Sequence, residues 1–174
     1  PNPLGAREGH ISFTLGSLTE TVTVKQGAGE TGNMESDART LAAKMYAGIN
    51  IGNTLEACDN KNKIAGETLW GNPKVSEAYV KGLKALGFNA VRIPCAWDYY
   101  IVNPSTYEID AVWLDRVSEV VGYCVANDMY AIVNIHWDGG WLEESITHGY
   151  SSEVDAKQKA IWTPVSYTHL RAHE

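Results

Sequence analysis

The residues best suited to chemistry follow an apolar run in the second half of the chain. Residues 131–135 are mostly apolar, and directly after them come His136, Trp137, Asp138 and Trp141. An imidazole and a carboxylate can bind hydroxyl groups, and an indole can stack on the C–H face of a sugar ring. Such residues at the tip of a buried strand are typical of α/β enzymes, whose sites lie in the loops after parallel strands.

Arg92 is a second candidate, because it lies within an apolar run that ends in Ile93-Pro94. A guanidinium in apolar surroundings needs an anionic partner, so we expect a carboxylate to face it. The pair would either fasten strand ends together or keep a catalytic carboxylate ionised. His136 is equally open: it could be a core residue, a sugar ligand, or, with Asp138, part of a metal pair.

Three long segments, 54–72, 94–109 and 136–151, hold most of the remaining candidates. They contain four of the six tryptophans, together with Tyr99, Tyr100 and Tyr150. An aromatic face of this kind, with polar side chains around it, predicts a carbohydrate-binding cleft. The residues expected to contact substrate are Asn53, Glu56, Trp70, Trp97, Trp137, Asp138 and Trp141.

Strands and helices alternate around these segments. The pattern predicts strands at 48–53, 88–93 and 130–135, and helices at 35–46, 75–86, from 110 and from 152. For the helix at 75–86, Asn72 is predicted as the N-cap and Pro73 as the first residue, with an apolar face of Val75, Tyr79, Leu83 and Leu86. The βαβαβα order predicts the α/β class with a parallel sheet.

The N-terminal residues follow another pattern. Residues 9–26 alternate polar and apolar types and predict a β-hairpin that turns near Gly16-Ser17, as the end of a larger β-sandwich module. Residues 27–38 are Gly-rich and polar, which indicates a linker and a domain boundary.

Composition excludes some functions. The net charge of −7 disfavours nucleic acid as a partner, and no apolar run reaches the roughly 20 residues that a transmembrane helix needs. The three cysteines have neither the spacing nor the even count of a zinc site or disulfide framework.

Four ordered motifs carry a resemblance to a known family. They are Gly48–Ala57, Glu67–Pro73, Gly87–Pro94 and Asn134–Glu143, and together they resemble the N-terminal part of glycoside hydrolase family 5, in its endoglucanase and xyloglucanase subfamily. The resemblance implies the N-terminal part of a (β/α)8 TIM barrel over residues 39–163. It also implies retaining hydrolysis of a β-1,4-glucan, such as cellulose-type glucan or xyloglucan, without a cofactor or metal. Residues 1–26 resemble the last hairpin of a BACON-type β-sandwich module.

The resemblance also assigns roles. Arg92 matches the family's arginine that contacts the nucleophile, and His136 matches its substrate-contacting histidine. Asn53 and the loop tryptophans are similar to subsite residues. Trp137 stands where the family more often has His, and Ile49 where it more often has Trp, so both departures bear on substrate choice.

Retaining glycosidases use two carboxyl groups, which this family takes from glutamates after its fourth and seventh strands. The chain contains no Asn-Glu-Pro motif, so both glutamates are expected to lie beyond it and the chain alone to be inactive. Residues 164–174 resemble translated adapter sequence, and the preceding helix is expected to be cut at Thr163-Pro164. The whole protein is expected to be secreted or at the cell surface, to bind polysaccharide and to be monomeric.

Two other functions fit the same residues. A carbohydrate-binding fragment would hold glucan on its aromatic loops without cleaving it. A metal-dependent barrel hydrolase would use His136 and Asp138 as ligands.

Overall fold

A computed structural model describes residues 7–15, 17–26, 37–149 and 151–171. The chain divides into two units, Pro1–Lys44 and Met45–Glu174. The sequence placed the start of the second domain at residue 39, whereas this division assigns residues 38–44 to the first unit.

The first unit contains the predicted hairpin. Strand β1 (Arg7–Leu15) pairs antiparallel with β2 (Leu18–Gln26), with Leu15 opposite Leu18, so the turn lies where the sequence predicts it. Hydroxyl groups bond across one exposed face, as between Ser12 and Thr21. Helix α1 (Ala38–Lys44) follows. The predicted linker lies outside the described residues except at positions 37 and 38.

The second unit is built on a parallel sheet of three strands in the order β3 (Gly48–Asn50), β6 (Ala90–Cys95) and β9 (Tyr130–Ile135). Six residues of β6 pair with β9 and only three with β3. The predicted α/β class with a parallel sheet is therefore confirmed. In chain order the elements are β3 (Gly48–Asn50), β4 (Cys58–Asp59), β5 (Ile64–Ala65), α2 (Glu77–Ala85), β6 (Ala90–Cys95), β7 (Ile101–Asn103), β8 (Glu108–Ile109), α3 (Ala111–Val125), β9 (Tyr130–Ile135), α4 (Trp141–Ile146) and α5 (Ser152–Arg171).

Helix α2 begins later than predicted. Its N-cap is Ser76, whose hydroxyl accepts a hydrogen bond from the backbone N–H of Tyr79, while the Asn72 amide donates to the carbonyl of Gly52. The predicted apolar face is also partly wrong. Val80 and Leu83 are its buried residues and belong to the hydrophobic core, whereas Tyr79 and the C-cap residue Leu86 are exposed.

Helix α3 agrees with the prediction. The Asp110 side chain caps it by accepting from the backbone N–H of Val112. Its buried stripe packs with alternate residues of β6 and with α2 and α5 in one hydrophobic core. The fully enclosed members of this core include Val80, Val91, Ile93, Val117, Val120, Cys124 and Ile161.

Helix α5 continues through Pro164 to Arg171, so the predicted break at Thr163-Pro164 is wrong. Proline removes one backbone donor and costs about 3 kcal/mol inside a helix. Ile161 and Val165, four residues apart on one face, are 0% and 1% exposed, and burying two such side chains contributes roughly 1.5–3 kcal/mol each. Burial on this face offsets the cost of the proline.

A buried ion pair fastens the first long loop to α3. The Arg116 guanidinium donates to both oxygens of Glu67, at 2.9 and 2.7 Å, and to the carbonyl of Val75. Glu67 is buried, and its carboxylate also accepts from the backbone N–H of Val75. Hydrogen bonds to Glu67 raise the pKa of Arg116 above its usual range, so the pair stays charged.

No helix among the described residues is both long enough and apolar enough to span a bilayer.

Removing Arg116 should destabilise the second unit strongly. Arg116→Met should lower the free energy of unfolding by about 3 kcal/mol, because it leaves the buried Glu67 carboxylate without its cation. Glu119→Gln, which removes only the exposed partner of Arg116, should cost less than about 1 kcal/mol. Urea unfolding followed by tryptophan fluorescence measures both, and equal losses would contradict a dominant role for the buried pair.

Candidate active-site cleft

Arg92, the third residue of β6, lies next to His136 at the end of the neighbouring parallel strand. Arg92 is on β6, and His136 directly follows β9, with its backbone N–H donating to the carbonyl of Cys95. An Arg92 terminal nitrogen lies 3.3 Å from His136 Nδ1. A guanidinium has only donors, so Nδ1 accepts, and a neutral imidazole then carries its proton on Nε2, free to donate elsewhere.

The expected carboxylate partner of Arg92 is not found in the part of the chain that the structure describes, where no acidic side chain lies within 4.0 Å of the guanidinium. That an anion faces Arg92 therefore stays a prediction, since the described residues do not contain the anion. Arg92 is only half-buried and borders a shallow cavity of about 170 Å³, beside Ile132, which is 43% exposed. Water can reach the guanidinium there and solvate its charge in this chain.

Asp138 joins the second and third long loops. It is 0% exposed, and its carboxylate accepts from the backbone N–H groups of Trp97 and Asp98 at 2.8 and 2.9 Å. The indole N–H of Trp141 donates a third hydrogen bond at 2.8 Å. Burial raises the pKa of Asp138, and these three donors counteract part of that rise. Asp138 therefore has a structural role and presents no surface to a ligand.

This arrangement also bears on the metal hypothesis. Both Asp138 oxygens already accept from N–H groups, so they are not available as ligands beside His136. Across residues 37–149 and 151–171, no three His, Cys, Asp or Glu side chains come together in a way that could hold an ion.

Glu56 has a similar structural role in the first loop. It is 3% exposed, and its two oxygens accept from the backbone N–H groups of Asn53 and Thr54. The expectation that Glu56 contacts substrate does not agree with this burial. Asn53 itself is exposed, with a positive φ of 60°, and remains a candidate contact residue.

Two of the four loop tryptophans are covered. Trp97 is fully buried and packs against Trp162, with ring centroids 6.4 Å apart. Trp141 is half-buried, and the Lys157 ammonium lies 3.9 Å from its ring centroid, over one face. The expected stacking of sugar on these rings is not available to Trp97, and for Trp141 one ring face is already occupied.

The other two loop tryptophans are accessible. Trp70 is 41% exposed and Trp137 is 42% exposed. The indole N–H of Trp70 donates to the carbonyl of Cys58, which fixes the ring at one edge. Trp137 follows His136 directly in the chain, and its indole nitrogen lies near Gly140 in the third loop. Tyr100 stacks on Trp113 instead, and Tyr150 lies outside the described residues.

Two residues near the cleft were not predicted. Asn60 contacts both Tyr99 and Gly139, and Lys157 pairs with Asp98 as well as covering Trp141. Asn60 stands in a polar stretch that indicates only a turn, and Lys157 stands on a helix in a charged stretch. The Gly139-Gly140 pair was the one available indication that a close contact occurs here.

A family model for cellulase, glycosyl hydrolase family 5, matches residues 52–169. Among curated proteins, the chain is 37% identical over 154 residues to endoglucanase B of Clostridium cellulovorans. This alignment covers 88% of this chain and 33% of that protein. It is also 37% identical over 139 residues to a xyloglucan-specific endo-β-1,4-glucanase of Bacteroides ovatus, and this alignment covers 78% of this chain and 28% of that protein. The chain thus spans about a third of the length of these relatives.

Solved structures agree. A family 5 xyloglucanase of Bacteroides ovatus, solved with a heptasaccharide, matches with a TM-score of 0.69 and 30% identity over 96% of this chain and 39% of that one. A broad-specificity endoglucanase of Clostridium cellulovorans matches with a TM-score of 0.61 and 40% identity, and the match covers 73% of this chain and 35% of that one. The chain therefore belongs to glycosyl hydrolase family 5, and its parallel strands with their helices form part of that family's barrel.

Proposed function

We propose that this chain is the N-terminal part of the catalytic barrel of a retaining endo-β-1,4-glucanase that acts on cellulose-type glucan, xyloglucan or a related β-glucan. The observation that carries the proposal is the Arg92–His136 pair on neighbouring strands, in a chain of this family and with the exposed Trp137 as the residue after His136. Each of these groups suits one part of a sugar-cleaving site.

Arg92 has the charge that a catalytic carboxylate needs beside it. Its guanidinium is accessible and has no carboxylate partner among the described residues. A glutamate brought against it would be kept ionised, as a nucleophile must be. His136, which accepts from Arg92 through Nδ1, would donate from Nε2 to a sugar hydroxyl.

The two catalytic glutamates are proposed to come from residues outside this chain, which spans about a third of its relatives. They would stand about 5–5.5 Å apart, one as acid/base and one as nucleophile. Trp137, Trp70 and Asn53 would bind the glucan chain, the two indoles by stacking and Asn53 by hydrogen bonding. Glu56, Trp97, Asp138 and Trp141 would support the loops rather than contact sugar.

The setting of the enzyme follows from its substrate. A β-glucan polymer is met outside the cell, so we place the enzyme in the secreted fraction or at the cell surface, acting as a monomer. The hairpin β1–β2 would be the end of a BACON-type module that precedes the barrel.

The complete reading frame provides the test. We expect it to encode an Asn-Glu-Pro motif and a later glutamate at a strand end, and its product to release reducing sugar from carboxymethylcellulose or xyloglucan. Proton NMR should show that the first product keeps the β-anomeric configuration. The 174-residue chain should give no turnover. A full-length product without glucanase activity would overturn the proposal.

Arg92 and His136 should matter to catalysis in that full-length enzyme. Arg92→Lys and His136→Ala should each lower kcat/KM about 100-fold. The lysine keeps the charge but loses the guanidinium fork that would hold the catalytic carboxylate, and the alanine removes the donor to the sugar hydroxyl. Arg39→Lys, a matched change at an exposed position of α1, should leave kcat/KM within about twofold. Steady-state kinetics on xyloglucan measures all three, and a kcat/KM unchanged in both site variants would remove these residues from the mechanism.

The exposed tryptophans should act on binding instead. Trp137→Ala and Trp70→Ala should each raise KM about five- to tenfold with little change in kcat, because stacking contributes about 1 kcal/mol to holding the chain. Tyr46→Ala removes an aromatic ring that is 78% exposed but lies before β3, away from the long loops, and KM should not change. If all three variants raise KM alike, the effect is not specific to the cleft.

A second function is supported by the same two indoles. Trp70 and Trp137 are exposed in this chain, so the chain by itself could bind glucan without cleaving it. Affinity electrophoresis in xyloglucan tests this, because binding retards migration. Retardation that Trp137→Ala abolishes would support it, and unretarded migration of the unmodified chain would exclude it.

A further inference from the structure

Asn60 lies where the three long loops meet. Its side-chain amide donates to the carbonyl of Gly139 in the third loop, at 2.8 Å. Its side-chain oxygen accepts from the hydroxyl of Tyr99 in the second loop. Burial and the neighbouring Cys58 raise the pKa of Tyr99 to about 12, so this hydroxyl keeps its proton and can donate. Both ends of the carboxamide are therefore engaged, each with a different loop.

The turn that Asn60 contacts has an unusual backbone. Four consecutive residues have positive φ, namely Trp137 at 43°, Asp138 at 50°, Gly139 at 78° and Gly140 at 82°. Left-handed backbone costs a side-chain-bearing residue about 1–2 kcal/mol, so this conformation persists only where its surroundings impose it. Asp138 provides one restraint through its buried carboxylate, and Asn60 provides the other through the carbonyl of Gly139.

The fit between Asn60 and the turn is close. A Cβ atom at Gly139 would lie 2.6 Å from the Asn60 side-chain oxygen and 2.7 Å from the Tyr99 hydroxyl. These distances are too short for any side chain, so the contact requires glycine. The turn and the carboxamide hold each other in one arrangement.

Asn60 also lies on a pre-formed element. The short hairpin β4–β5 is closed by Asp59, whose side chain accepts from the backbone N–H groups of Lys61 and Asn62. At its other end, the Cys58 carbonyl accepts from the indole of Trp70. The hairpin is thus bonded on one side to Trp70 and on the other to the turn that carries Trp137.

We propose that Asn60 is a positioning residue for glucan binding, which holds Trp137 at a fixed distance and angle from Trp70 so that both indoles stack on one glucan chain. This inference rests on the proposed function. It assigns a role in substrate recognition to a hairpin residue that touches no substrate itself.

The test is steady-state kinetics of the complete enzyme on xyloglucan. Asn60→Ala should raise KM about five- to tenfold with kcat within twofold, the same pattern as Trp137→Ala. Asn62→Ala is the matched control, because Asn62 stands on the same hairpin and bonds only Asp59 among the described residues. Its KM should stay within twofold of the unmodified enzyme.

A double variant separates positioning from general stability. If Asn60 acts through Trp137, Asn60→Ala should have no further effect on KM in the Trp137→Ala background.

Tyr99→Phe removes only the hydroxyl that donates to Asn60, and should raise KM about two- to threefold. This variant tests the inference even if Asn60→Ala does not fold.

Three results would overturn the inference while leaving the proposed function intact. The first is an equal KM for Asn60→Ala and Asn62→Ala, and the second is an unchanged KM for Tyr99→Phe. The third is a rise in KM from Asn60→Ala that is as large in the Trp137→Ala background as in the unmodified enzyme. Absence of glucanase activity in the unmodified enzyme would instead overturn the proposed function, and this inference with it.

Discussion

The buried carboxylate of Asp138 is the interaction on which the cleft depends. It accepts three N–H donors from two loops that are separated by about forty residues in sequence. An unsatisfied buried N–H costs about 1–3 kcal/mol, so separating the two loops would be unfavourable because it would leave these donors without their acceptor. Desolvation opposes this by raising the pKa of Asp138, and the donors compensate in part. The loops are therefore fixed by polar contacts as well as by apolar packing.

This constraint explains why the four loop tryptophans have different surroundings. The backbone N–H of Trp97 and the indole N–H of Trp141 both donate hydrogen bonds to the Asp138 carboxylate, which holds these two residues against the protein interior. Trp137 immediately precedes Asp138, has a positive φ of 43°, and its ring is 42% exposed. One buried group thus supports two rings inside the protein, while the ring of the residue before it stays exposed.

Local patterns predicted the local structure well. The strand at 130–135 has the predicted bounds, and Asp110 caps its helix as expected, because periodicity and capping depend on neighbouring residues. Asn72 was misjudged because a distant carbonyl, that of Gly52, takes its amide. The covering of Trp141 by Lys157 and the contact between Asn60 and Gly139 depend on residues 16 and 79 positions apart, as the numbering of each pair gives. The sequence predicted which residue types form the cleft, but only the folded chain shows which faces remain open.

The close packing of Gly139 against Asn60 has a consequence for how such sequences can change over evolutionary time. A side chain at 139 would occupy the space of the carboxamide at 60 and would be strained by the positive φ of 78°, so residue 139 cannot gain a side chain unless residue 60 and the turn change with it. A lineage that loses the glycine must also shorten residue 60 or move the hairpin. Among homologues that keep the β4–β5 hairpin and this turn, glycine at 139 should therefore accompany asparagine at 60, and a larger residue at 139 should occur only where residue 60 is smaller and the turn has another backbone conformation.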